Sequence, residues 1–487
     1  MRKLRLIALS CVPFWLAACA TQGPPASVSA PPAAQWQAPL PHQGTLTDLS
    51  QWWQQHKDPL LVALIEAAQA ASPSVASARS RIELSRATRV TAGAALLPSL
   101  DASLSATRSR AQMAGAATPP AITTTAEAHL QASWELDLFG GRQAARDAAQ
   151  ARFEGAQAQW HDARVSVAAE VANQYYSLRT CHQLLTVARA DALSRAETAR
   201  LSDLSAQAGF TAPATAALAR ASAAEGNSLA TQQRARCDLD IKALVALTAW
   251  TEPDLREKMA VPVATPAQEA PISIASVPAQ ALAQRPDVFN AEREVHAASA
   301  DVGHAQVQRY PHLSLSGSVG SSRIRSRGVT QDFSTWSFGP LTLAIPLFDG
   351  GAHAAELQAS RARYEEAVAQ YRGTVRQAVR EVEEALVNLD STGSRQDDAR
   401  VAAENYRASF TGTEARYKSG LASLVELEDA RRTRLAAETS LLLLQRERLT
   451  AWVALYRAVG GGWDRSAPVA AHDEALGTSA TPAALPQ

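Results

Sequence analysis

The residues able to do chemistry in this 487-residue chain are few and dispersed. Cys181 and His182 are neighbours, a thiol beside a base that could activate it. Adjacent residues on a helix point about 100° apart, however, so the two do not face each other. The ten histidines are scattered, without the paired spacing of a helical metal motif. No phosphate-cradling glycine loop and no nucleophile elbow occurs. An enzyme is therefore not expected, and neither a cofactor nor a metal. Of the four cysteines, Cys11 and Cys19 lie near the start, leaving Cys181 and Cys237. These two stand equally far from Gly209 along the chain, one before it and one after. If the chain reverses at Gly209, both fall at one height on an antiparallel helix pair. That symmetry predicts a disulfide, with two separately buried thiols as the alternative.

The elements around them follow from periodicity. From Ala126 to Leu138 the even positions are apolar and the odd ones are polar. Strict period-two alternation of this length marks a strand with one greasy and one wet face, long enough to cross a bilayer. Phe139-Gly140-Gly141 ends it. Arg142 to Ala208 then holds no proline and a single glycine, and reads as one helix.

The same plan recurs in the second half of the chain at one constant offset. Pro73 and Pro98 are answered by Pro286 and Pro311, Val75 by Val288, Ile82 by Val295 and Leu100 by Leu313. Phe348-Asp349-Gly350-Gly351 answers Phe139-Gly140-Gly141. The span from Gly141 to Gly209 matches that from Gly351 to Gly420 to within a single position. Val375, Val379, Val382, Leu386 and Leu389 form a coiled-coil seam on the second long helix.

Charge excludes one class of partner. Lys+Arg and Asp+Glu are both 47, so nothing points to nucleic acid. The N-terminus reads as an export signal, with Arg2, Lys3 and Arg5 before a short apolar run. Leu16-Ala17-Ala18-Cys19 resembles the lipobox of bacterial lipoproteins. That likeness implies cleavage before Cys19, a lipid on its sulfur and, with Ala20 following, sorting to the outer membrane.

The boundaries expected are a signal at 1–18, a lipid tether at 19–45, a first repeat at 46–250, a linker at 251–280, a second repeat at 281–463 and a disordered tail at 464–487. Strands are expected at about 100–110, 126–138, 312–325 and 336–347. Polar loops should lie near 108–125 and 326–335. Long helices are expected at 142–208 and 352–419, and return helices at 214–249 and 421–459. Pro340 and Pro346 should bend the last strand or leave it at a barrel end.

Four membrane strands cannot close a barrel, so the chain must oligomerise. The whole plan, with Trp134-Glu135-Leu136-Asp137-Leu138-Phe139-Gly140, Arg285-Pro286-Asp287-Val288 and Gly460-Gly461-Gly462-Trp463, resembles the TolC-like family of outer-membrane efflux channels, in its lipoprotein branch. The resemblance implies an α+β membrane protein forming a homotrimer, with a twelve-stranded β-barrel continuous with an α-helical periplasmic tunnel. It implies a periplasmic adaptor and an inner-membrane pump as partners, and passive export of drugs or other small molecules. The hairpin turns at Gly209 and Gly420 would lie at the periplasmic end. The family's pattern puts gate carboxylates six and nine residues after the second glycine, which here are Glu426 and Asp429. The family's basic latch residue is Ala422 in this chain. Other readings are that both acids are ordinary solvated charges, and that the chain is a periplasmic adaptor or a structural coiled-coil lipoprotein.

Overall fold

The computed structural model describes residues 23–30, 36–39, 53, 58–111, 121–261 and 281–463. The expected signal, Cys19, most of the linker and the tail lie outside them. The elements are α1 (Pro59–Ala71), α2 (Pro73–Ala94), β1 (Ser99–Ala111), β2 (Ala121–Leu136), α3 (Gly141–Gln207), α4 (Pro213–Thr248), α5 (Glu252–Ala260), α6 (Pro286–Val307), β3 (His312–Ser326), β4 (Val329–Ala344), α7 (Ala352–Lys418) and α8 (Leu424–Ala458). Two compact units result. One gathers the residues up to 30 with 80–156 and 290–372; the other gathers 31–79, 157–289 and the chain from 373.

The first unit is built on a four-stranded antiparallel sheet in the order β1-β2-β3-β4. Its central ladder, β2 with β3, joins the two repeats, pairing Leu130 with Val319 and Trp134 with Leu315. Through the outer ladders Leu130 also faces Ala102, and Val319 faces Trp336. Because side chains alternate across a strand, this register puts the apolar residues of all four strands on one face. Large members of that face are open to the surroundings, with Leu104 at 87% and Phe338 at 81% exposure.

Three expectations about the strands need correction. β2 begins at Ala121 rather than Ala126, because Ile122-Thr123-Thr124-Thr125 is β-branched and extends the ladder beyond the alternating part. The loop expected at 326–335 is absent, and β4 starts at Val329 rather than Trp336. Arg327 and Gly328 both have positive φ and close a two-residue turn, which matches strand twist. Arg323 and Asp332 then pair at 2.6 Å across the hairpin. Finally, β4 holds one residue more than β3 between the pairs Leu315–Leu341 and Gly317–Phe338. The extra residue reverses the alternation. Trp336 and Phe338 at even positions therefore share a face with Leu341 and Leu343 at odd ones.

α3 runs 67 residues, ~100 Å at the standard helical rise, and belongs to the first unit up to residue 156 and to the second from 157. Its stripe of Val165, Ala169, Ala172 and Tyr176 is buried in one cluster with Val382, Leu386 and Leu389 of α7, and with Ala451, Leu455 and Tyr456 of α8. Asp58 caps α1, accepting from the Leu61 N–H at 3.3 Å, and also accepts from the Tyr175 hydroxyl at 2.6 Å. One polar group thus satisfies two buried donors.

The tether expected at 19–45 is in part packed. Within the first unit, the carbonyls of Pro24 and Pro25 accept from Ser299 at 2.5 Å and Tyr364 at 2.8 Å, and Val28 joins an apolar cluster with Val295 and Ala367. Within the second, Trp36 is buried, and the Gln37 and Ala38 N–H groups donate to the two oxygens of Glu383 at 2.7 and 2.8 Å.

Cys181 of α3 and Cys237 of α4 are joined in a disulfide within the same core. It closes a sequence separation of 56 residues, which in the chain-entropy description stabilises by about 4 kcal/mol. The denatured, unreduced mature protein should show no reactive thiol from this pair. Two thiols reacting with a chromogenic reagent would mean the bridge does not form in the cell.

Candidate functional site

Two places bear on function: the joints where strands become helices, in the first unit, and the hairpin tips, in the second. At the first joint Asp137 accepts from the N–H groups of Arg142 at 3.1 Å and Gln143 at 2.8 Å. At the second, Asp349 accepts from Gly351 and His353, both at 2.8 Å. In each repeat a carboxylate occupies the positive end of a 67-residue helix. Glu135 pairs with Arg142 and lies 3.2 Å from His312.

At the tips both hairpins turn at the glycines expected. Gly209 and Gly420 have φ of +80° and +74°, a conformation that favours residues without a Cβ. The turns share one bonding pattern: Phe210 N–H reaches the Ser205 carbonyl at 2.9 Å, and Leu421 N–H reaches that of Arg416 at 2.7 Å. Beyond Gly420 the return helix starts at Leu424, not at 421 as expected, because Ser423 is its N-cap.

That cap engages one of the two acids singled out above. The Ser423 Oγ accepts from the Glu426 N–H at 3.2 Å, and the Glu426 carboxylate accepts from the Ser423 N–H at 2.6 Å. This reciprocal box satisfies two donors that a helix start leaves open. The Ser423 N–H foremost, and then its hydroxyl, hold the Glu426 carboxyl below the ordinary carboxylate range. Asp429, one turn on, is exposed and pairs with Arg432 at 2.5 Å. Tyr417 and Ser202 hydroxyls lie 3.1 Å apart, linking α7 to α3. Phe410, Leu424 and Leu427 form a small apolar cluster with Ala199 and Ala219 behind the tips.

Next to that cluster lies a knot of buried charge that sequence reasoning missed. Arg431 of α8 is wholly withdrawn from solvent. It donates to Thr198 at 3.0 Å and Ser194 at 3.2 Å, both on α3, and pairs with Glu428. Arg195 of α3 donates to Asp191 at 2.7 Å, to Ser222 of α4 at 2.8 Å and to Glu428 at 3.2 Å. Arg434 reaches Asp191 at 3.3 Å and lies 4.0 Å over the ring of Phe410. Burial pulls the Arg431 guanidinium below its ordinary value, against the pull of Glu428 and Asp191. Removing one partner of such a buried pair costs about 3–5 kcal/mol. The run Glu428-Asp429-Ala430-Arg431-Arg432 reads in sequence as a solvated face. The available signal was the recurrence of Arg and Asp or Glu at helical spacing on both α3 and α8.

The profile of the outer membrane efflux protein family matches residues 64–249 and 277–461. The two matched stretches start at positions separated by the same offset as Pro73 and Pro286 of the internal repeat. The pyoverdine export outer membrane protein OpmQ of Pseudomonas putida is 29% identical, covering 96% of this chain and 99% of its own. Outer membrane protein OprJ of Pseudomonas aeruginosa is 30% identical, covering 91% and 93%. Among solved structures, the outer-membrane channel OprN superposes with a TM-score of 0.78 at 26% identity, covering 91% of this chain and 99% of its own. The duplicated strand-and-helix plan and these matches together establish that the chain belongs to the outer membrane efflux protein family.

Proposed function

We propose that the protein is the exit channel of a tripartite efflux system, a homotrimer in the outer membrane that reaches into the periplasm. The observation that carries this is the sheet of the first unit. Its apolar face is continuous across four strands, and β1 and β4 are its edges. Unpaired backbone groups at those edges would cost several kcal/mol each in hydrocarbon. β1 of one copy lies antiparallel to β4 of the next when the order is continued, so three copies close a twelve-stranded barrel. Twelve strands leave a water-filled lumen, and the polar face bearing Glu127, Gln131, Ser318 and Ser322 would line it. The long helices continue each repeat as a tunnel. A lipid on Cys19 adds an anchor, a periplasmic adaptor joins the trimer to an inner-membrane pump, and solutes move passively. An adaptor or a purely structural coiled-coil lipoprotein has no use for such a sheet.

The cargo is small organic molecules, in keeping with relatives named for pyoverdine export and for toluene efflux. Deleting the gene should sensitise cells to a subset of a panel of toxic small molecules, and the plasmid-borne gene should restore resistance. Unchanged sensitivity across siderophores, solvents and drugs would overturn the export reading.

Glu426 and Asp429 are the carboxylates of the closed aperture, six in the trimer, forming a cation-attracting ring. Glu426→Ala with Asp429→Ala should raise conductance in planar bilayers and relieve block by divalent cations. Unchanged conductance and block would reject the assignment.

The capping box adds a pH dependence whose sign follows from the structure. Ser423 stabilises the ionised form of Glu426 and so lowers its pKa, while convergence of like charges in the trimer raises it. Ser423→Ala removes the hydroxyl's share of the lowering. The proton is then taken up at higher pH, so on acidification cation block should be lost at higher pH than in the unaltered channel. A midpoint that stays put or moves down would show that Ser423 does not act on the ring.

A further inference from the structure

At the end of the sheet away from the helices stands a charged patch that solute conduction does not use. On β1 the apolar row Leu100, Ala102, Leu104 and Ala106 continues as Arg108 and Arg110. On β3 the row Leu313, Leu315, Gly317 and Val319 continues through Ser321 as Arg323 and Arg325. The register brings these rows together. Thr124 of β2 pairs with Arg108 on one side and Arg325 on the other, and Ala126 pairs with Arg323. Because alternate residues share a face, all four arginines stand on the face that carries Leu104, Leu130 and Val319. Neighbouring strands lie about 4.8 Å apart, so Arg108 and Arg325 spring from points roughly 10 Å from one another. All four are exposed.

Four guanidinium groups on one face repel one another. Asp332 of β4 answers Arg323, at 2.6 Å. Among the described residues no acid pairs with Arg108, Arg110 or Arg325, and residues 112–120, between β1 and β2, contain neither Asp nor Glu. Height adds a second constraint. From Leu136 to Thr124, β2 rises ~40 Å along the strand, or ~30 Å along the membrane normal at a barrel's usual tilt. That equals the thickness of the hydrocarbon core. With the helices in the periplasm, the arginines stand at the level of the outer headgroups. A single arginine there reaches water along its own stem. A cluster short of counter-charge calls for an anion.

We propose that this patch binds the phosphates of a phosphorylated glycolipid of the outer leaflet, whose acyl chains lie along the apolar rows beneath, an assignment that rests on reading the sheet as part of an outer-membrane barrel. The guanidinium fork matches phosphate oxygens two by two. Arg108 and Arg110, neighbours on one strand face, grip one phosphate, and Arg325 a second roughly 10 Å away. Asp332 holds Arg323 back from the same task. A headgroup with two phosphates fits this spacing, and a phospholipid with one does not span it.

The test titrates the full-length lipidated trimer in detergent with fluorescent bisphosphorylated lipid A, beside phosphatidylglycerol and inorganic phosphate. Lipid A should bind more tightly than either. Arg108→Gln with Arg110→Gln, and separately Arg325→Gln, should each weaken it about tenfold. Asp332→Asn releases Arg323 and should tighten it. Arg325 lies on an inner strand of the sheet, so its variant decides alone if the β1 pair fails to give the heat-resistant oligomer. Phosphatidylglycerol or inorganic phosphate bound as tightly as lipid A, or arginine variants that bind lipid A unchanged, would overturn the proposal. Conductance in planar bilayers separates the two readings. Trimers that conduct while lipid A binding ignores the arginines remove this site alone, whereas a protein that forms no pore removes the channel and the site with it.

Discussion

A backbone N–H or C=O group cannot be left unpaired in hydrocarbon. That constraint governs everything else in the molecule. Its four strands carry one unbroken apolar face and end in two open edges, β1 and β4. A chain with such a sheet is incomplete alone, and the remedy nearest to hand is another copy of itself. The neutral overall charge and the length of the helices become intelligible once the chain is a segment of a wall rather than a container.

Duplication supplies the wall efficiently. The β2–β3 ladder lets the repeats share one sheet, and Asp137 and Asp349 repeat the same helix cap at both strand-to-helix joints. The copies have since diverged where local demands differ. β4 absorbs an extra residue opposite Leu315 and Gly317, and its apolar positions change parity there. The face stays continuous because residues changed together with the register, a substitution pattern that only a buried or lipid-facing surface enforces.

Much of this was legible beforehand. The spacing of Gly141 to Gly209 and of Gly351 to Gly420 marked both long helices, since an uninterrupted helix needs only the absence of breakers and a stripe to pack. The equal distances of Cys181 and Cys237 from Gly209 suggested their meeting because a hairpin converts sequence symmetry into height. Other features were hidden for physical reasons. The start of β4 was masked because Thr330, Gln331 and Asp332 lie beyond the alternating apolar part and look like loop. The packed residues at 24–28 and 36–38 look like tether in the sequence because most of their bonds use backbone atoms, which composition cannot reveal. Arg431 was invisible as a buried residue because burial of a guanidinium depends on partners 233 and 237 positions away in sequence.

The two hairpins are not held in the same way. The first carries a covalent staple at its middle, Cys181 to Cys237, and the second contains no cysteine at all. A disulfide cannot be exchanged during a conformational cycle without a redox partner, so α3 and α4 keep their mutual register. Whatever shifts at the tip must then shift at contacts that can be remade, namely hydrogen bonds, ion pairs and apolar packing. Between α8 and α3 the polar ones gather at Arg431, Glu428, Asp191, Ser194 and Thr198, and the apolar packing lies in the core around Tyr176 and Tyr456. A hairpin fixed by a covalent bond thus lies beside one held to it by polar bonds and apolar packing alone.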